Sequence, residues 1–321
     1  MKSRILLPFL AFLLTSSVSA APLPAPPGLI GWWPGEAGGA GLVAAPAAAL
    51  TEVVPAAGQN GAAWQFTNTA TATPTPSRGF IPDSPLMRLA AFTITLWCWF
   101  DVPDTAGTWD EGLQYLLFQR GSGLFEAWSL CKLRDDSNGR DQLLFTFGPA
   151  SSDRFGLSSS LPAGVQMNTW YFVAAVFDNT VARLYINGTE VSSFATGFEI
   201  GYRSFADTWL ASSGQTFDGR FGGRMDELCL YQRVLAAAEI AALRQAEDGI
   251  FLPDDTMLSF QPGGTALTWA GHWGRLYRVE SSPNLTSWSQ IGFLLNGNGA
   301  NSLTPGPAAS PQQFYRVNRV P

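Results

Sequence analysis

Few residues in this chain could do covalent or metal chemistry. There is one histidine, His272, and there are three cysteines, Cys98, Cys131 and Cys229. Zinc takes four nitrogen or sulfur ligands held close together, which one histidine and scattered cysteines cannot supply. His272 sits in Gly-His-Trp-Gly, a turn-like sequence. No Gly-x-Ser-x-Gly, His-Glu-x-x-His or phosphate-cradling glycine loop occurs. Asp135, Asp136 and Asp141 lie between Arg134 and Arg140 and read as a solvated turn rather than a catalytic pair. What remains is binding chemistry. Trp109, Trp128 and Trp209 fall outside the predicted core strands, and Asp104, Asp110 and Asp207 lie near Trp109 and Trp209 in sequence. Indole faces stack on sugar rings while a few polar groups orient the ligand. Against this stands packing, because tryptophan is highly buried on average.

The cysteines leave two alternatives. Cys98 and Cys131 each fall in a predicted strand and could pair, or all three are buried free thiols. The odd count and wide spacing favour the second.

The N-terminus predicts export. Lys2 and Arg4 precede an apolar run, Ile5 to Leu14, and Val18-Ser19-Ala20 offers a cleavage site, so residues 1–20 read as a signal peptide. The run is too short to span a bilayer, and no later segment is apolar for long enough, so no membrane insertion is predicted. Removing Lys2 and Arg4 leaves 17 basic against 25 acidic residues, a formal −8, without a basic run. Nucleic acid is therefore excluded as a partner, since its binding rests on neutralising phosphates.

The elements that must position these residues are strands. Of the chain, 46% is hydrophobic and only 14% charged, with 33 Gly, 22 Pro and 22 Phe, a mix that suits many short strands joined by tight turns. Phe92, Ile94, Leu96, Cys98 and Phe100 alternate with Thr93, Thr95, Trp97 and Trp99, the pattern of an inner strand covered on both faces. Residues 143–147, 170–177 and 228–231 are further strands. Asn187-Gly188 predicts a type I′ hairpin between Leu184 and Val191. Residues 236–245 favour a helix, with Ile240 and Leu243 on one side. The predicted layout is a Pro-rich linker (21–27), a large domain (28–248), a second linker (249–255) and a small β domain (256–321). The strands of the small domain are 265–269, 276–281, 287–291 and 313–318. At that size its core would lean on a neighbour or on Trp269, Trp273 and Trp288.

Taken in order, Gly28-Leu-Ile-Gly-Trp-Trp-Pro-Gly-Glu36, Ala63-Trp-Gln-Phe66, Ile81-Pro-Asp-Ser-Pro-Leu86, Phe92 to Trp97, Asn168 to Asp178, Leu184 to Gly188, Met225 to Leu235 and Ala238 to Leu243 resemble the LamG-like jelly-roll modules of the concanavalin A-like superfamily. The resemblance implies an all-β jelly roll of two antiparallel sheets with a short C-terminal helix, followed here by a small second β-sandwich-like domain. The small domain resembles β modules common at the ends of secreted bacterial proteins, through Leu276 to Ser282, Leu285 to Trp288 and Phe314 to Val317. Many relatives carry calcium, which wants six to eight oxygens. Here the usual Phe-Asp-Gly-x-Asp-Asp stretch reads Phe66-Thr-Asn-Thr-Ala-Thr71, leaving Glu36, Asp226 and Glu227, so calcium is disfavoured and no cofactor is predicted. The histidine that relatives place in the strand after Trp170 is Phe172 here. The superfamily also contains glycoside hydrolases, but the Glu-x-Asp-x-x-Glu strand is missing. The favoured reading is a secreted, non-catalytic module recognising extracellular polysaccharide. The alternatives are a structural or adhesive protein that binds a surface protein or the cell envelope, and, more distantly, a glycoside hydrolase.

Overall fold

The structure is a computed structural model. It describes residues 23–36, 38–43, 46–71, 75–107, 112–122, 126–151, 153–215, 219–246, 250–251, 259–260, 266–270, 276–295, 300–305 and 313–320. The predicted signal peptide (residues 1–20), Trp109, Asp110, His272 and Trp273 lie outside these residues.

In chain order the strands are β1 (Leu23–Pro24), β2 (Leu29–Trp33), β3 (Leu42–Val43), β4 (Ala49–Thr51), β5 (Val53–Ala57), β6 (Ala62–Thr67), β7 (Arg78–Ile81), β8 (Phe92–Phe100), β9 (Gln114–Arg120), β10 (Glu126–Asp135), β11 (Arg140–Phe147) and β12 (Phe155–Ser158). They continue with β13 (Trp170–Phe177), β14 (Val181–Ile186), β15 (Thr189–Ala195), β16 (Thr208–Leu210) and β17 (Gly222–Tyr231), then helix α1 (Ala237–Gln245) and β18 (Ile250–Phe251). Two antiparallel sheets carry most of them. One is seven-stranded in the order β12-β11-β10-β9-β16-β7-β4. The other is nine-stranded in the order β15-β14-β13-β8-β17-β2-β3, with β6 also pairing β17 and β5 pairing β6. The non-consecutive neighbours β9-β16-β7-β4 in one sheet and β13-β8-β17-β2 in the other are what a jelly roll requires.

The alternation read in β8 sets the core. Phe92, Ile94, Leu96, Cys98 and Phe100 all belong to the main apolar cluster, where they meet Leu116, Leu130, Leu143 and Phe145 from the other sheet. Phe92 stacks on Phe177 at 5.9 Å and meets Phe145 edge-on at 6.4 Å, so side chains of both sheets interlock. The opposite face of β8 faces outward and is roofed by α1. Ile240 and Leu243 of the helix pack with Trp32, Trp97, Phe172, Val176, Tyr185 and Tyr231. The Asn187-Gly188 turn forms as predicted, with φ of +51° and +83°.

The three cysteines are free and buried, so Cys98 and Cys131 do not pair. The reason is their layer. Cys98 points into the main core, whereas Cys131 belongs to a separate cluster with Tyr115 and Phe118 on the far side of the seven-stranded sheet.

The hairpin at Asp135 is solvated only at its tip. Asp141 is 8% exposed and forms a 2.8 Å ion pair with Lys132, which is 0% exposed and also donates to the carbonyls of Pro103 and Gly112. Burial lowers the Lys132 pKa, and the Asp141 hydrogen bond and charge oppose that shift.

Both predicted linkers contribute a short strand, since β1 pairs in parallel with β18. Further along, β19 (Ser259–Phe260), β20 (Leu267–Ala270), β21 (Leu276–Ser282), β22 (Ser289–Leu295), β23 (Ala300–Leu303) and β24 (Phe314–Val320) form two three-stranded sheets, β19-β20-β23 and β22-β21-β24. They share a core of Leu267, Trp269, Tyr277 and Val279. Trp288 is not in that core. It lies at the surface under the Arg316 guanidinium, 4.2 Å from the ring centroid.

Candidate functional site

The described members of the predicted ligand-binding set are each engaged in packing or pairing. Trp128 is 2% exposed and packs on Phe92 at 5.8 Å, so its ring is core and not surface. Asp104 is ion-paired to Arg134 at 3.1 Å, and Asp207 accepts the Asp83 amide at 3.0 Å. Trp209 sits on the outer face of the seven-stranded sheet but is enclosed by its own chain. Arg78 lies 5.2 Å from its centroid and Phe80 5.4 Å away, tilted by 49°. On another side the backbone of Gly214 crosses it so closely that a Cβ there would sit 2.2 Å from the ring. Trp209 is therefore a packed residue with little ring face to offer.

Glu36 and Asp226 are occupied as well. Asp226 accepts the Asn60 amide at 2.9 Å, the Glu36 carboxylate lies 3.5 Å from the Ala62 amide, and the Glu36 carbonyl accepts the Trp64 indole at 3.2 Å. Glu227 accepts the Trp32 indole at 2.7 Å. Among the described residues no group of three or more His, Cys, Asp or Glu is placed to hold a metal ion. Two carboxylates serving backbone amides fall short of calcium's six to eight oxygens, so these residues do not fit that ion.

Among the described residues the three thiols are not activated nucleophiles. Burial pushes the Cys131 thiol up to about 12, and burial also raises Cys98 and Cys229, which keeps all three protonated and unreactive. On the far side of the seven-stranded sheet, Glu126 is a buried carboxylate. It is bound by the Thr146 and Ser129 hydroxyls and paired with Arg154 at 2.9 Å. All of these contacts tie the Glu126 carboxylate to its own sheet.

A surface that combines half-buried aromatic and polar groups also lies on the other sheet. Every residue of β8 is buried except Trp99, every residue of β13 except Trp170, and every residue of β17 except Arg224. These three openings are register partners. Trp99 stands opposite Trp170 on one side and Arg224 on the other, and Arg224 stands opposite the half-buried Gln65 of β6. One row of side chains, Gln65-Arg224-Trp99-Trp170, thus emerges across four neighbouring strands just where the roof of α1 stops. The next row inward, Trp97 against Phe172 at 5.3 Å, is buried, with Arg244 of α1 lying 5.6 Å from the Trp97 ring.

The row is held rigidly. Asp101 accepts the Trp99 indole at 2.8 Å and the Gln65 amide at 2.5 Å. Gln65 in turn accepts Arg224 Nε at 2.9 Å, and the Arg224 guanidinium lies 5.1 Å from the Trp99 centroid. Trp99 and Trp170 meet edge-to-face at 5.7 Å with planes 61° apart. Such a surface can stack a ring on Trp170 while Arg224 and Asp101 present fixed polar groups beside it. The sequence reading missed it, treating Trp97 and Trp99 as equally covered. The available signal was position: Trp99 is next to last in its strand and Trp170 is first in its own.

The fold agrees with known proteins. A sequence model of the concanavalin A-like lectin/glucanases superfamily matches residues 76–241, from just before β7 into α1. Among solved structures, the chain is similar to Domain 4 of AbnA, a GH43 extracellular arabinanase from Geobacillus stearothermophilus, in complex with arabinotriose. Identity is 17%, coverage is 67% of this chain and 97% of that one, and the TM-score is 0.52. It is also similar to the binding domain of Paraclostridial Mosquitocidal Protein 1, with 14% identity, coverage of 91% and 75%, and a TM-score of 0.51. A third similar structure is the binding domain of Botulinum Neurotoxin DC in complex with SialylT, with 12% identity, coverage of 79% and 57%, and a TM-score of 0.50. At these identities the likeness is one of fold. No curated protein matches the sequence significantly. The family match spans just over half of the chain and every strand it covers takes its place in the two-sheet sandwich, so the protein belongs to the concanavalin A-like lectin/glucanases superfamily.

Proposed function

We propose that this is an exported, non-catalytic protein that recognises extracellular carbohydrate, and that the Gln65-Arg224-Trp99-Trp170 row is where it does so. The observation that carries this reading is the coincidence of the three solvent openings in β8, β13 and β17 with one cross-strand row. Aromatic rings next to fixed hydrogen-bonding groups are the chemistry sugar rings require. The N-terminal signal features support export, and the bound arabinotriose of the AbnA domain shows that a related sandwich can hold an oligosaccharide. The fixed state of Glu126 and the protonated cysteines support a role without catalysis.

A glycan array probed with the full chain lacking residues 1–20 tests this. Binding to one or more glycans is expected, weakened about tenfold in Trp170→Ala, a loss of about 1.4 kcal/mol. Failure to bind any glycan would overturn the reading. Incubation with β-glucans should release no reducing sugar, and release would identify an enzyme instead.

A further inference from the structure

Resting on that reading, we infer that the row takes a single soluble, neutral glycan chain laid across the strands, rather than a chain end, an acidic glycan or the flat face of a crystalline polysaccharide. Four neighbouring strands set the length. At the usual strand spacing the distance from Gln65 to Trp170 is about 14 Å, longer than one sugar ring. Neither end is walled. At the β5 side the next register partner is Val54, which is 47% exposed. At the other side β14 pairs with β13 only from Val173 onward, so no strand stands opposite Trp170. A chain can therefore enter and leave, and among the described residues no strand walls off a terminal unit.

Ring orientation argues against a flat ligand. Planes 61° apart cannot lie together on the face of a crystal, but they suit a chain whose successive rings turn relative to one another. Charge decides between neutral and acidic ligands. Arg224 is the cation of the row, Asp101 lies behind it as the anion, and the two are joined through Gln65, so the surface offers donors and acceptors with little net charge. An acidic sugar would find no surplus cation. The Trp170 indole N–H makes no hydrogen bond with the described residues and is free to donate to a hydroxyl. A row one side chain wide is also far too small for a protein partner, which needs about 800 Å² per side.

The test is affinity electrophoresis of the full chain lacking residues 1–20 in gels containing a soluble β-glucan, a soluble galactomannan or polygalacturonate. It is paired with a pull-down on microcrystalline cellulose and with calorimetry on a mono- to hexasaccharide series of the bound sugar. Expected are retardation by a neutral soluble polysaccharide, little change on adding about 0.5 M NaCl, and affinity that climbs at least tenfold from mono- to tetrasaccharide. Trp170→Ala should lose that climb and Trp170→Tyr should keep it, with unfolding midpoints confirming that both variants fold. Retention only by cellulose, preference for polygalacturonate with salt-sensitive binding, or equal affinity for mono- and tetrasaccharide would overturn the inference while leaving carbohydrate recognition standing. No binding to any glycan would remove both.

Discussion

The two sheets of the sandwich cover their outer faces with different mixtures of apolar and charged contacts. The nine-stranded sheet hides its outer face under an apolar roof, with Ile240 and Leu243 of α1 lying on Trp97, Phe172 and Tyr231. The seven-stranded sheet keeps charge inside. It buries Lys132 against Asp141 at one end, and it holds Glu126 between Arg154, Ser129 and Thr146. An apolar roof is tolerant, because burial energy scales with area and has no direction. A buried ion pair is not, because each member is stable only while the other is present. The tolerant roof can stop short of the sheet and leave one row of side chains open. On the seven-stranded sheet Phe80, Leu144 and Trp209 are also half-buried, but the Trp209 ring is already covered by Arg78 and by the Gly214 backbone.

That contrast can be broken by mutation. The largest expected effect is at Asp141. Asp141→Ala leaves the Lys132 ammonium buried with only the Pro103 and Gly112 carbonyls, and should cost about 3–5 kcal/mol. Guanidinium unfolding followed by tryptophan fluorescence measures it. A loss below that of an ordinary apolar truncation would show that the pair is not a key closure of this sheet. Next is the roof. Ile240→Ala should cost about 2–4 kcal/mol from lost burial and a residual cavity. Near-ultraviolet circular dichroism should change at the indoles below the helix while the strand signal persists. If the whole strand signal is lost together with the helix, the roof and the sandwich are one cooperative unit and not a lid on a finished core.

Much of the nine-stranded side was legible because its signals are local. The alternation of Phe92 to Phe100, the strand 170–177, the Asn187-Gly188 turn and the 3.6-residue spacing of Ile240 and Leu243 each lie within one segment. The proposed binding row was not legible, because Gln65, Trp99, Trp170 and Arg224 become neighbours only through cross-strand register, which no single segment encodes. The Lys132–Asp141 pair failed for a related reason. Counting outward from the hairpin tip places Asp141 opposite Arg134, but a run of Asp and Arg around Ser-Asn-Gly looks like a solvated turn, and only its tip is one. Trp128 was misplaced because tryptophan beside a loop carries no mark of the face it takes. Its neighbours Ala127 and Leu130 held the better clue, as both lie in the main core.

The smallest effect sharpens the comparison at the base of the roof. Helix α1 begins at Ala236, which has no side chain to cap it, and Glu239 reaches back to accept the Ala236 amide at 2.8 Å. Arg233 holds the same carboxylate at 2.5 Å and donates to the Pro27 carbonyl at 2.6 Å, tying the helix start to the turn that leads into β2. The Arg233 hydrogen bonds are the main reason the Glu239 pKa falls below its ordinary 4.5. A depressed carboxyl pKa means the unfolded state binds the proton more readily. Its stabilising contribution is therefore complete above pH 4.5 and fades as the pH falls through the lower folded value. Because the pair is partly exposed, Glu239→Gln should cost under about 1 kcal/mol near neutral pH. The difference between wild type and variant should vanish in acid, as measured by unfolding midpoints at several pH values. A difference that persists in acid would mean Glu239 acts by packing rather than by charge. The two sheets would then differ in what covers them but not in how their covers respond to protons.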